Sequence, residues 1–74
     1  MRKMRDIEIR WEQYDKASFL TQKSPGVFIL THYSSGRKES STVIKRKTII
    51  ETRRQVARSL RYARRNGARV GYAH

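Results

Sequence analysis

Between Thr48 and Gly67 the sequence runs TIIETRRQVARSLRYARRNG, a stretch whose apolar side is so narrow that the rest of the chain has little choice about what to lay against it. Placed on a helix at about 100° per residue, Ile49, Val56, Leu60 and Ala63 share one stripe, while Arg54, Arg58, Arg61 and Arg65 line up opposite. One face packs and the other is a ladder of guanidinium groups. Thr48 is positioned to accept from an orphan backbone N–H, Glu51 completes a capping box, and Asn66-Gly67 suits a left-handed C-terminal cap. The pattern predicts a helix over 48–66. Its arginines repel one another, and Glu51, the one acid within it, cannot neutralise them.

The chain of 74 residues is expected to form a single small domain over 1–74. A domain of this size buries only roughly 60% of its unfolded surface, so its core is thin. With 36% hydrophobic and 32% charged residues, burial scarcely exceeds the entropy of ordering, and stability is expected to lean on a partner. Eighteen Lys and Arg against six Asp and Glu give a formal charge of +12, a self-repulsion that a polyanion relieves. There is no cysteine, which excludes a disulfide framework, a thiolate zinc site and a cysteine nucleophile. No apolar run approaches the ~20 residues that cross a bilayer, and MRKMRDIEIR has the charge of a signal peptide without its hydrophobic region. Secretion and membrane insertion are not expected. Asp6 and Glu8 count against an organellar transit peptide, yet a processed or organelle-encoded chain fits too, so bacterial cytoplasm and mitochondrial matrix both stay open.

Taken in order, residues 1–5 form a basic arm. Ile7, Ile9 and Trp11 then alternate with Glu8, Arg10 and Glu12, which predicts a strand over 6–12. Tyr14 to Lys23 has no clean period and fits a loop or one helical turn. Trp11, Tyr14 and Phe19 are expected as core anchors. The run Val27-Phe28-Ile29-Leu30 predicts a buried strand over 27–31, and Thr42-Val43-Ile44 another over 42–46. Residues 33–41 between them, centred on Gly36 with Arg37 and Lys38 alongside, are expected as a polar loop. The resulting fold class is α+β: a small antiparallel sheet of about three strands with a long basic C-terminal helix packed on it. The tail, with Val70 and Tyr72, either folds back or docks on a neighbour.

Candidate binding residues concentrate between Lys45 and Arg69. Lys45, Arg46, Lys47, Arg53, Arg54, Arg58, Arg61, Arg64, Arg65 and Arg69 face Glu51 alone in that interval. The helix uses arginine throughout, whose planar fork binds phosphate bidentately and stacks on exposed bases, which points to RNA recognised by backbone and shape. His32 and His74 are too few for a metal cluster, and no catalytic or nucleotide-binding motif occurs, so neither a cofactor nor an enzymatic activity is expected. A small nucleic-acid-binding transcriptional regulator is the second functional class, and a cationic membrane-active protein a third.

The run Arg54-Gln55-Val56-Ala57-Arg58-Ser59-Leu60-Arg61-Tyr62-Ala63-Arg64 resembles the pattern R-Q-(L/V)-A-R-(A/S)-(I/L)-(K/R)-x-A-R of the bacterial and organellar family of small-subunit ribosomal protein eighteen. Residues 19–36 match the family's earlier segment only loosely, through Phe19-Leu20-Thr21, Ile29-Leu30 and Ser35-Gly36. After Arg64 the family's L-L-P-(Y/F) gives way to Ala68-Arg69-Val70-Gly71-Tyr72. The resemblance implies a ribosomal location, binding to small-subunit ribosomal RNA through Arg54, Arg58, Arg61 and Arg64, and small-subunit ribosomal protein six as a neighbour. It also implies a mainly α fold, a small helical RNA-binding domain, as the alternative to the sheet.

Overall fold

The computed structural model describes residues 5–73. In chain order it comprises β1 (Ile7–Trp11), a 3-10 turn (Glu12–Tyr14), β2 (Lys16–Ser24), β3 (Val27–Ser34), β4 (Arg37–Ile44), α1 (Ile49–Arg65) and β5 (Arg69–Tyr72). The strands make one sheet in the order β4-β3-β2-β1-β5, antiparallel at every pairing. Four strands meander from β1 to β4, α1 crosses one face, and β5 returns beside β1. Of the expected basic arm, only Arg5 lies within the described residues; its guanidinium sits 4.3 Å from the centre of the Tyr72 ring.

The expected architecture is therefore corrected in three respects. The sheet has five strands rather than about three. The helix is not C-terminal, because the chain turns after it into β5, which pairs Val70 with Ile9 and Tyr72 with Ile7. The mainly helical alternative is overturned by the sheet itself.

Two local expectations fail with it. Of the segment Tyr14 to Lys23, only Tyr14 lies in a helical turn; from Lys16 the chain is β2, which pairs with both β1 and β3 at the middle of the sheet. The polar loop over 33–41 shrinks to Ser35-Gly36, a two-residue turn in which both residues have positive φ, 51° and 78°. That geometry matches the twist of the flanking strands and is cheap for glycine, so polar residues 37–42 are freed to form an exposed strand at the sheet edge.

Register decides which side chains meet the helix, because alternate residues point to opposite faces. Ile7 pairs with Leu20 and Ile9 with Ser18; Leu20 pairs with Leu30 and Ser18 with His32; Phe28 pairs with Ile44. These residues line the covered face. Leu20, Phe28, Ile44 and Val56 form the buried cluster, with Ile7, Leu30 and Leu60 packed around it. The expected aromatic anchors are not in it. Trp11 and Phe19 are half-buried, and Tyr14 is 61% exposed. Phe19, on the face α1 leaves uncovered, meets Tyr33 edge-on at 5.5 Å.

Both ends of α1 are tied down. The Thr48 hydroxyl accepts from the Glu51 backbone N–H at 3.1 Å. At the other end the Gly67 N–H donates to the Arg64 carbonyl and the Ala68 N–H to the Ala63 carbonyl, the paired bonds of a Schellman closure. Within the first turn, fully buried Thr52 accepts from the Arg46 backbone N–H at 2.9 Å and donates to the Thr48 carbonyl at 3.1 Å. One hydroxyl thus joins the β4–α1 linker to the helix. Thr52→Val keeps the shape but strands the Arg46 N–H, and is expected to cost about 1–3 kcal/mol in urea unfolding; an unchanged midpoint would show that solvent satisfies that donor.

Candidate nucleic-acid interface

The side of α1 that meets the sheet is set by Thr52, Val56 and Ala63, all buried, with Leu60 half-buried beside them. Ile49, expected on the buried stripe, is instead 46% exposed. The packing line is thereby turned towards Thr52, a residue that the apolar pattern passes over. Thr52 can lie at this interface because its hydroxyl is paired on both sides, which removes the usual penalty for a buried polar group.

With that line facing inward, Arg53, Arg54, Arg58, Arg61, Arg64 and Arg65 are all exposed. The ion pairs among the described residues are Arg10–Glu8 and Arg69–Glu12, at 2.9 and 3.0 Å, so none of the helix arginines has a described carboxylate partner. Lys45, Arg46 and Lys47 are also exposed and lead into the helix N-terminus. The Thr52 bond fixes the Arg46 backbone, and the Arg46 guanidinium donates to Gln55 Oε1 at 3.3 Å. Arg46 thereby shares one surface with Arg54 and Arg58 of the helix.

Arg69 does not join them. It pairs with Arg10 across β1 and β5, whereas neighbouring Val70 pairs with buried Ile9. Arg69 therefore belongs to the face opposite the helix, where its side chain is bound to Glu12. The ten candidate cations divide into nine on or beside α1 and one apart. Neighbouring arginines on a helix surface raise each other's electrostatic energy, and each bound phosphate relieves it while supplying bidentate acceptors.

Beside the arginine ladder a groove of about 450 Å³ opens between α1 and the sheet. Gln55, Arg58 and Tyr62 line it from the helix, and Trp11, Ser18 and His32 from the sheet. His32 Nδ1 lies 2.9 Å from Ser18 Oγ and its Nε2 3.4 Å from Thr42 Oγ1, so both ring nitrogens are engaged within the sheet. Among the described residues no cluster of His, Cys, Asp and Glu could hold a metal ion; His74 lies outside them. Apart from Arg58, none of these groove residues was a candidate on sequence grounds. The only available signal was an aromatic, Trp11, at the end of an alternating strand.

Compared with family models, with curated proteins and with solved structures, the chain finds no match. The site is accordingly characterised by its own geometry.

If the ladder neutralises phosphates, replacing Arg54 and Arg61 together by Gln should reduce the slope of log affinity against log salt by roughly 1.4–1.8 units. Gln preserves helix propensity, so the helix is expected to persist. Fluorescence anisotropy with a labelled structured RNA at several salt concentrations measures the slope; a wild-type slope in the variant would mean a merely solvated face.

Proposed function

We propose that the protein is a non-catalytic RNA-binding protein that holds structured RNA against the arginine face of α1, and that its setting is the small ribosomal subunit. The observation that carries the RNA-binding part is the set of six exposed helix arginines without a described carboxylate partner. Arginine on six of the ten exposed positions of α1 supports recognition of backbone and shape, since phosphate contacts position a ligand without reading its sequence.

The ribosomal part rests on the run from Arg54 to Arg64 alone. Within it Arg54, Arg58, Arg61 and Arg64 are exposed, which suits contact with small-subunit ribosomal RNA. The five-stranded sheet is not the mainly helical fold that the resemblance implies, and the pairing with small-subunit ribosomal protein six has only the resemblance behind it. Among the described residues no helix is long and apolar enough to cross a membrane.

Sucrose-gradient sedimentation of a lysate containing the tagged protein tests the setting. The protein is expected to co-migrate with the small subunit after a moderate salt wash. Migration at the top of the gradient, together with tight binding to duplex DNA in place of RNA, would instead support a transcriptional regulator.

A further inference from the structure

The groove between α1 and the sheet has features that packing alone does not account for. Its volume of about 450 Å³ falls within the roughly 300–1,000 Å³ usual for small-ligand sites. Tyr62 is 67% exposed and Trp11 half-buried, although both are large aromatics in a chain with little else to bury. Both line the same concave surface, Tyr62 from α1 and Trp11 from the end of β1.

The one charged group lining this groove is a cation, Arg58, beside the Gln55 amide. Gln55 Oε1 already accepts from Arg46, which leaves the Gln55 amide N–H₂ to donate. Arg58 has no described carboxylate partner. No Asp or Glu lines the groove. This lining suits an occupant that is flat enough to stack on an aromatic ring, bears acceptors for an amide, and carries negative charge for a guanidinium. A nucleoside monophosphate has all three properties.

We propose that this groove is a nucleotide pocket, in which a base stacks against the aromatic lining of Trp11 and Tyr62 while Arg58 takes its phosphate. The proposal deepens the RNA-binding function and rests on it for the source of the nucleotide: one unstacked residue of the strand held by the ladder. Arg58 belongs to both surfaces, so a strand following the helix passes the groove mouth. Splayed bases received by aromatic side chains are a general means by which single-stranded segments of folded RNA are recognised.

Trp11 is the one tryptophan of the chain, so its fluorescence reports on this groove. The test titrates the intact protein with adenosine and uridine 5′-monophosphates, with ribose 5-phosphate, and separately with a fluorescently labelled structured RNA followed by anisotropy. Saturable quenching by at least one monophosphate and none by ribose 5-phosphate is expected. Tyr62→Ala should weaken monophosphate binding at least about fivefold. Tyr62→Leu, which keeps apolar bulk without the ring, should weaken it similarly and guards against loss of folding in the alanine variant. Quenching by ribose 5-phosphate equal to that by the monophosphates would overturn the base pocket. Absence of monophosphate quenching while labelled RNA still binds would overturn the pocket and leave the RNA-binding function standing. Monophosphate quenching without RNA binding would support the pocket, make a free nucleotide its ligand, and remove the proposed function.

Discussion

Val56 packs into the cluster formed by Leu20, Phe28 and Ile44, side chains drawn from one helix and three different strands. That contact fixes the rotation of α1 about its axis. With Val56 inward, Thr52 and Ala63 follow it into the interface, and the arginines on the remaining sides are left in solvent. The apolar contact is small because the chain is small, and losing methylene groups from such a core typically costs several kcal/mol, about 2–5 for a leucine cut to alanine. Such a loss is of the order of half the net stability of a small domain.

The electrostatics work against this packing. A formal charge of +12 over 74 residues, much of it arginine on a single helix, makes the unliganded fold repel itself. On α1 only Glu51 is acidic, while Glu8 and Glu12 are bound to Arg10 and Arg69, on the side of the sheet away from α1. Among the described residues the fold thus pairs Arg10 and Arg69 with carboxylates and leaves the helix arginines without one. Bound phosphates would lower the energy of the folded state, so the proposed RNA binding would be coupled to stability by mass action.

The helix was legible because its period, its Thr48 cap and its Asn66-Gly67 closure are encoded within one stretch and point the same way. The centre of the sheet was not. In β2, Leu20 and buried Ser18 face the helix while Phe19 faces the open side, so apolar and polar residues fail to alternate and the strand has no visible period. In β4 the residues are almost all exposed, so an edge strand reads as a loop until the Ser35-Gly36 turn pairs it with β3. Aromatic size suggested core positions for Trp11, Tyr14 and Phe19, but register assigned the core to Leu20, Phe28 and Ile44. As for the site, its cations could be read from composition. The groove could not, because Trp11 and His32 meet Arg58 and Tyr62 only through the packing of α1 on the sheet.

Mapping by amide and indole nuclear magnetic resonance tests the central claim that RNA lies along α1 and is met on the helix side of the molecule. On titration with a structured RNA, the account predicts that shifts concentrate at residues 45–47, at the arginines of α1, and at the Trp11 indole. Shifts concentrated instead at Phe19, Tyr33 and Val43 on the uncovered sheet face, with the α1 arginines unmoved, would contradict it.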